Sequence, residues 1–233
     1  GGENTELPKA LLTFGGASLL CRHITILIEC GIEELFVVVG HRSEDLISEA
    51  KRVAPPNFVK FIHNPRYREG PILSLECGSE VLRAGSHVIF MDADTLYHPN
   101  ILRRLVNSAH NTCFVLDREF QSTDDFVKVC LRDGQVVDFG KNLSGCYDLV
   151  GEWPGFMKMS PEIATKVADE VDQIISSGEV EGAYERAIQA VLHNETIGTF
   201  GFEDITGIPW IEIDYESDLE KATLQILPRI SKS

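Results

Sequence analysis

The chain has 233 residues, of which 43% are hydrophobic and 24% charged, a composition typical of a globular protein with a substantial apolar core. The length favours one large domain over two small ones. The formal net charge is −15 and no block of lysine and arginine offsets it, which argues against a protein that binds nucleic acids or anionic membranes.

In the first half of the chain, apolar runs alternate with amphipathic patterns, which predicts strands that alternate with helices. The predicted strands cover 34–40, 57–64, 86–94 and 112–117. The predicted helices cover 18–31, 43–53, 70–82 and the segment that follows Pro99. Alternation at this spacing is typical of a mostly parallel sheet with right-handed crossovers.

The second half has a different pattern, beginning with a hairpin predicted over 125–141 with Asp133 and Gly134 at its turn. A strand is predicted over 151–160, where Pro154 indicates a kink or an edge position. The remaining predicted elements are helices at 161–178 and 183–192, a short strand at 209–214 and a closing helix at 216–227. Together the two halves predict an α/β fold.

Asp92 and Asp94 lie at the carboxyl end of a predicted strand, which is where open parallel sheets bind ligands. Residues two apart in a strand share a face, and two neighbouring carboxylates repel unless a cation or a proton lies between them. One interpretation is that these residues cap the following turn. The other is a site for a hard cation such as Mg²⁺, which prefers oxygen ligands and usually also contacts substrate phosphates.

A second acidic strand end lies at Asp214, after a stretch in which Ile211 and Ile213 alternate with acidic residues. If Asp94 and Asp214 converge, they form a two-carboxylate cation site drawn from distant parts of the chain. Asp218, in the first turn of the closing helix, is interpreted as a surface residue that complements the helix dipole.

Phosphate chemistry also requires positive groups, and two lysines lie in constrained settings. Lys9 follows Pro8, and Lys141 follows a glycine at the end of the predicted hairpin. Most lysines are simply solvent-exposed, so neither residue identifies a site by itself.

The segments LPKALLTFGG, HNPRY, GPILSL, MDAD, GKNL, VGEWPGF and PWIEIDYESDLEKA occur here in the order found in nucleotidyltransferases. From Leu7 to Ala222 the chain resembles this superfamily, which activates sugar phosphates and small phosphorylated alcohols. HNPRY, GPILSL and GEWPGF are most similar to bacterial choline-phosphate and phosphonate cytidylyltransferases. The resemblance implies a Rossmann-like three-layer α/β/α sandwich with a mostly parallel mixed sheet and an inserted β-hairpin in the acceptor region. It implies a single domain over 1–233, with 1–120 mainly binding the nucleotide and 121–233 mainly binding the acceptor.

The resemblance further implies a Mg²⁺-dependent transfer of CMP from CTP to a phosphocholine-like or aminophosphonate acceptor, with release of pyrophosphate. Lys9 would neutralise the NTP phosphates, and Asp94 and Asp214 would hold Mg²⁺, which makes these three the catalytic residues. Further nucleotide contacts would come from Gly1, Gly2, Gly70, Ser74 and Asp92. Acceptor contacts would come from Lys141, Glu152, Trp153 and Tyr184. Core packing is an equally good interpretation of Trp153 and Tyr184.

The family begins with a strand and a glycine-rich loop whose backbone amides cradle the triphosphate. This sequence begins with GGENTELPKALL, so we expect that strand and part of that loop, including its arginine, to be missing from it. Gly1 and Gly2 would be the tail of the loop.

Three alternatives stay open, namely a sugar-1-phosphate nucleotidyltransferase, a nucleotide-sugar-dependent glycosyltransferase and a non-catalytic nucleotide-binding homologue. The LPKALL and EIDYESDL segments argue against the glycosyltransferase. Six cysteines without a CxxC pair, and a sequence without a signal peptide, predict reduced thiols and a cytoplasmic protein. No apolar run is long enough to span a bilayer, and the sequence leaves open whether the chain forms a homodimer.

Overall fold

The structure, a computed structural model, describes residues 7–119 and 126–230. These residues form two compact units. The first unit consists of the described residues of Gly1–Pro65, Ala93–Pro99 and Pro209–Ser233, and the second consists of those of Arg66–Asp92 and Asn100–Ile208.

The two units do not follow the predicted sequence halves. Asp214, from the predicted acceptor half, lies in the first unit, whereas Gly70 and Asp92, from the predicted nucleotide half, lie in the second. Whether the chain is a single domain stays a prediction.

The strands of the described chain are β1 (Thr13–Phe14), β2 (Ala17–Ser18), β3 (Leu35–Val39), β4 (Val59–His63), β5 (Val88–Met91), β6 (Thr95–Tyr97), β7 (Cys113–Leu116), β8 (Lys128–Arg132), β9 (Gln135–Gly140), β10 (Leu149–Glu152), β11 (Phe156–Met159), β12 (Gly201–Asp204) and β13 (Trp210–Glu212). The α-helices are α1 (Leu19–Glu29), α2 (Ser43–Val53), α3 (Ile72–Cys77), α4 (Ser79–Leu82), α5 (Asn100–Asn107), α6 (Pro161–Ser176), α7 (Glu185–Asn194), α8 (Glu216–Lys221) and α9 (Leu227–Ile230). Lys9–Leu11 is a 3₁₀ turn and Ala222–Ile226 is a π-helical turn.

The strand pairings confirm the predicted α/β class with a mixed sheet. In the first unit β3 is parallel to β4, β1 and β2 form a hairpin, and β6 is antiparallel to β13. In the second unit one sheet has the order β12-β7-β11-β5, in which β12 is parallel to β7 and β11 is antiparallel to both of its neighbours. A second sheet there has the order β10-β8-β9.

The predicted hairpin is confirmed by β8 and β9. Asp133 and Gly134, between these strands, have φ values of 50° and 72°. Two consecutive positive φ values are those of a type I′ turn, whose twist matches that of antiparallel strands.

Some predicted elements are divided in the structure. The strand predicted over 151–160 is two strands, β10 and β11, in different sheets of the second unit. They are separated at Pro154, which has no N–H for a ladder, and at Gly155, whose φ is +88°. The helix predicted over 70–82 is interrupted at Gly78, and the strand predicted over 86–94 ends at Met91. Strands β1, β2, β6 and β12 were not predicted.

Each unit has its own apolar core. In the second unit the core lies between strands β7, β8, β9 and β11 and helices α3, α6 and α7, and Phe114 is one of its fully buried residues. In the first unit a smaller cluster contains five buried residues, Phe14, Leu19, Leu96, Ile213 and Ala222. Among the helices of the described residues, none combines the length and the apolar character that crossing a membrane would require.

Phe114 provides a test of the core of the second unit. Its side chain is fully buried, and its ring lies 4.7 Å from that of Phe139 and 5.8 Å from that of Phe200. We expect Phe114→Ala to lower the free energy of unfolding by about 3–5 kcal/mol, because it leaves a cavity among these rings. The measurement is urea denaturation, with Ile197→Ala as the control at a side chain that is 73% exposed. The control should change the free energy by less than about 0.5 kcal/mol, and an equally small effect of Phe114→Ala would contradict this core.

Candidate active site

Lys9, Asp94 and Asp214 come together in the first unit. Lys9 begins the 3₁₀ turn directly after Pro8. Its Nζ donates hydrogen bonds to Asp214 Oδ1 at 2.6 Å and to Asp94 Oδ2 at 3.1 Å. The convergence of the two strand ends, which the sequence left as a condition, is therefore present, and a lysine lies between them.

The antiparallel pairing of β6 and β13 explains why these two aspartates meet. Asp94 precedes β6 and Asp214 follows β13, and antiparallel strands bring the start of one to the end of the other. The pairing places Glu212 opposite Thr95, and Ile213 N–H donates to Asp94 O at 3.1 Å. The buried side chain of Ile213 fixes which face of the strand end points into the core.

Glu212 is a third carboxylate at this place, and the sequence analysis did not assign it a role. One carboxylate oxygen each from Asp94, Glu212 and Asp214 lies within 4.8 Å of the others. The sequence does indicate this location for Glu212, because apolar and acidic residues alternate here. Glu212 and Asp214 are two residues apart and therefore share the face opposite Ile213. We call Lys9, Asp94, Glu212 and Asp214 the carboxylate cluster.

The charge balance of the carboxylate cluster is negative, since three carboxylates surround one ammonium group. Partial burial of Lys9 would by itself lower its pKa, but the hydrogen bond to Asp214 and the charge of Asp94 raise the pKa above its usual value. Lys9 is therefore charged at neutral pH. Three carboxylates with excess negative charge are a donor set that suits a hard cation such as Mg²⁺.

Asp218 fixes the backbone at Asp214. Its Oδ2 accepts the N–H of Asp214 at 3.1 Å and the N–H of Tyr215 at 2.8 Å. The sequence predicted only a surface residue that complements the helix dipole. In addition to that location at the start of α8, its carboxylate holds the strand end that carries Asp214.

His23 contacts the backbone of Ala93, directly before Asp94, and no role for this histidine was predicted from the sequence. This histidine lies on the buried face of α1 and is 5% exposed. Its Nε2 lies 3.1 Å from Ala93 O, and its ring stacks on that of Tyr97 at 5.4 Å. Burial lowers the pKa of His23 to about 4, so the ring is neutral at pH 7 and its Nε2–H donates to Ala93 O.

Asp92 has different partners from Asp94 and lies in the second unit. The hydroxyl of Tyr184 lies 2.7 Å from both carboxylate oxygens of Asp92. The backbone N–H of Asp92 donates to Gly155 O at 2.9 Å, and a Cβ on Gly155 would lie 2.6 Å from Asp92 Oδ2. This close approach requires a glycine at 155. That Asp92 contacts the nucleotide stays a prediction.

Trp153 and Tyr184 are part of an aromatic group in the second unit. Trp153 is 4% exposed, and its indole N–H donates to Phe156 O at 2.8 Å. Its ring lies 6.2 Å from that of Phe90 and 6.4 Å from that of Tyr184. Of the two interpretations left open by the sequence, core packing describes Trp153 in this structure, whereas Tyr184 combines ring packing with its bond to Asp92.

Glu152 is a half-buried acid in the same unit. Its backbone forms two hydrogen bonds with that of Asp117, at 2.8 and 2.9 Å. Burial, followed by the charge of Asp117, raises the pKa of Glu152 to about 7. Among the described residues, no lysine, arginine or histidine forms an ion pair with Glu152.

The other predicted site residues are less closely connected. Lys141 is exposed and forms no hydrogen bond or ion pair with any residue that the structure describes. Gly70 has no room for a side chain, because a Cβ there would lie 2.0 Å from Val180 O. Ser74 lies in α3, in the second unit. Gly1 and Gly2 lie outside the described residues.

Comparison with protein families decides the class of the protein. Residues 1–143, which are more than half of the chain, match the model of the MobA-like NTP transferase domain. The chain belongs to this family. The nucleotidyltransferase prediction is therefore confirmed, and the match favours it over the glycosyltransferase alternative.

Individual relatives agree with this assignment. One is the Rubrobacter xylanophilus protein named "Bifunctional IPC transferase and DIPP synthase", which is 27% identical over 94% of this chain and 48% of its own length. The chain thus spans about half the length of this curated relative. Two solved structures resemble the chain with TM-scores of 0.72 and 0.74, and these likenesses confirm the Rossmann-like α/β fold.

The first of these structures is the CTP:phosphocholine cytidylyltransferase (LicC) of Streptococcus pneumoniae. It is 25% identical, with 94% of this chain and 89% of that chain covered. The other is the inositol-1-phosphate CTP transferase of T. maritima, which is 17% identical, with 98% of this chain and 88% of that chain covered.

The raised pKa of Glu152 predicts how stability depends on pH. In the unfolded chain this group ionises near its ordinary pKa of 4.5, and in the folded protein it ionises at about 7. Between these values the folded protein keeps a proton that the unfolded chain has lost, so this group's contribution to stability falls as pH rises through this window. Glu152→Gln removes this dependence. The free energy of unfolding of the variant minus that of wild type should therefore be larger at pH 8 than at pH 5.

The measurement is urea denaturation of both proteins at pH 5 and pH 8 without ligand. Glu80→Gln, at an exposed position of the same unit, is the control and should differ equally from wild type at both pH values. A constant difference between wild type and Glu152→Gln would contradict the raised pKa.

Proposed function

We propose that the protein is a Mg²⁺-dependent cytidylyltransferase that joins CMP from CTP to a small phosphorylated or phosphonate acceptor with a cationic head. The observation that carries this proposal is the pair of ion pairs from Lys9 to Asp94 and Asp214. A lysine, which can bind phosphates, thus lies against two carboxylates, which can bind Mg²⁺, in a chain of the NTP transferase family.

Asp94 and Asp214 would hold the metal ion, and Glu212 lies within reach of the same point. Bound Mg²⁺ would supply neutralisation of the phosphate charge. His23 and Asp218 fix the backbone of Ala93 and Asp214, so the two ligands are held in place by residues outside the ligand set. Outer residues of this kind orient metal ligands in many metalloproteins.

The reaction needs no nucleophile from the protein. A phosphate or phosphonate oxygen of the acceptor attacks the α-phosphorus of CTP and forms a new P–O bond. The bond between the α-phosphorus and the bridging oxygen breaks, and pyrophosphate leaves with its electron pair. Lys9 neutralises and orients the triphosphate, and Lys141 binds the acceptor's anionic group. Alignment and charge stabilisation of this kind account for most of the catalysis in phosphoryl transfer.

A cationic acceptor head is supported by Glu152. This half-buried carboxyl has a raised pKa and no cationic partner among the described residues, so a choline or amine group beside it would favour its charged form. The partly buried ring of Tyr184 adds aromatic surface that attracts such cations. Similarity to the Streptococcus pneumoniae CTP:phosphocholine cytidylyltransferase supports both CTP and this acceptor class.

An inositol phosphate is the second candidate acceptor. It is favoured by the names of the Rubrobacter xylanophilus and T. maritima proteins. A neutral polyol can donate hydrogen bonds to Glu152 but forms no ion pair with it, so loss of the charge in Glu152→Gln should weaken binding of a cationic acceptor more than binding of a polyol. A sugar 1-phosphate, the remaining alternative, is distinguished in the same way.

The test is pyrophosphate release with each of the four NTPs and four acceptors, namely phosphocholine, aminoethylphosphonate, inositol 1-phosphate and glucose 1-phosphate. We expect release with CTP and a cationic acceptor, and Glu152→Gln should raise KM for that acceptor while leaving kcat nearly unchanged. Release with inositol 1-phosphate or glucose 1-phosphate alone would contradict the cationic acceptor.

Asp94→Ala tests the metal assignment in the same assay. It should lower kcat by at least about 100-fold, because a charge-stabilising group at the phosphates is lost. The control is Asp45→Ala, which removes an exposed aspartate that pairs with Arg42 elsewhere in the same unit. Turnover of Asp94→Ala at the level of this control would exclude Asp94 as a metal ligand.

A further inference from the structure

We propose that Lys9 excludes free divalent metal from the carboxylate cluster, so that the metal enters only as its complex with the nucleoside triphosphate. The inference rests on the proposed function, because it assigns Asp94 and Asp214 to the metal. It adds an order of binding and a second role for Lys9, as an internal counter-ion that the substrate displaces.

Lys9 already binds one carboxylate oxygen of each aspartate. Its Nζ lies 2.6 Å from Asp214 Oδ1 and 3.1 Å from Asp94 Oδ2. A cation that binds these two oxygens must displace the lysine or share them with it, and a cation on the other two oxygens stays close to the ammonium group. Mg²⁺ also gives up its own water reluctantly, so a free ion has little to gain from the exchange.

The charge of Lys9 also opposes an incoming cation. The formal net charge of the cluster is −2 with Lys9 in place, whereas the three carboxylates alone carry −3. An incoming free cation is repelled by the ammonium at close range, and this repulsion is strongest where water is partly excluded. The lysine therefore weakens the attraction between the cluster and any cation that arrives alone.

A metal–nucleotide complex removes this obstacle. Its phosphates offer the ammonium new anionic partners, so the ion pairs that Lys9 gives up are replaced rather than lost. The Lys9 side chain is 45% exposed and a lysine stem rotates freely, so the ammonium can move away from the carboxylates. The nucleotide thereby uncovers the ligands for the metal that it carries.

A matched control is available in the same unit. Lys60 Nζ pairs with Glu34 Oε1 at 2.5 Å, and these side chains are 46% and 50% exposed, close to the exposure of Lys9 and Asp214. This lysine pairs with one carboxylate instead of two, and the pair lies outside the carboxylate cluster. Lys60→Met therefore removes a lysine of similar exposure without changing the charge of the cluster.

The experiment measures Mn²⁺ binding by calorimetry and by electron paramagnetic resonance, with and without CTP. Without nucleotide, Lys9→Met should bind Mn²⁺ at least about tenfold more tightly than wild type, because the competing charge is gone. In the presence of CTP, Lys9→Met should bind Mn²⁺ more weakly than wild type does, because the variant lacks the ammonium that binds the phosphates. Lys60→Met should equal wild type in both measurements, and Lys9→Arg should restore weak binding of free Mn²⁺.

The proposal predicts that Lys9→Met raises the affinity for free Mn²⁺ and lowers the affinity for Mn²⁺ with CTP. A general disruption of the site would lower both affinities. The added Asp94→Asn change should abolish the gain of Lys9→Met, which places the bound ion at the cluster. Circular dichroism and thermal unfolding establish that each variant is folded, and Lys9→Gln replaces Lys9→Met if that variant is not.

A folded Lys9→Met or Lys9→Gln variant with unchanged or weaker affinity for free Mn²⁺ would overturn the proposal. If wild type nevertheless binds Mn²⁺ with CTP and releases pyrophosphate, the proposed function stands and only the inference fails. If neither wild type nor any variant binds Mn²⁺ with or without CTP, the metal assignment itself fails, and the inference fails with it.

Discussion

Repulsion among three acids, offset in part by one lysine, governs the carboxylate cluster. Asp94, Glu212 and Asp214 have oxygens within 4.8 Å of one another, an arrangement that is unfavourable without a positive charge. Lys9 supplies that charge from a distant part of the sequence. Under the proposed function, a metal ion that arrives with the nucleotide binds the carboxylates in place of Lys9, and the phosphates of the nucleotide bind the lysine.

The backbone around the cluster limits how far the acids can move apart. Strands β6 and β13 are short, but their antiparallel pairing, the bond from Ile213 N–H to Asp94 O and the buried Ile213 side chain fix the two strand ends. His23 and Asp218 act on the residues next to the ligands. Strand pairing, apolar packing and side-chain hydrogen bonds to the backbone thus oppose the mutual repulsion of the three acids.

Much of this arrangement could be predicted from local sequence patterns. The Asp133-Gly134 turn follows from backbone preferences, and Asp94 and Asp214 were identified because Asp94 follows an apolar run and Asp214 follows an alternating one. The separation of Asp92 from Asp94 could not be predicted, because it depends on Tyr184, 92 residues away along the chain. His23 was missed for a similar reason, since one histidine on an apolar helix face gives no sign of the carbonyl it will contact.

The family match establishes the class of reaction, and the acceptor depends on details that the fold alone does not decide. Trp153 packs in the core with its N–H satisfied by Phe156 O, so an aromatic residue in a familiar motif is weak support for a ligand contact. Glu152 is more informative, because a half-buried acid with a raised pKa gains from a cationic partner.

The central claim is that the metal of the substrate complex replaces Lys9 between Asp94 and Asp214. The most direct test is a crystal structure with Mn²⁺ and a non-hydrolysable CTP analogue, in which anomalous scattering locates the metal. The account predicts a Mn²⁺ ion bound to oxygens of both aspartates, with Lys9 Nζ moved onto the phosphates. A bound nucleotide with its metal elsewhere, or with Lys9 still bridging Asp94 and Asp214, would contradict it.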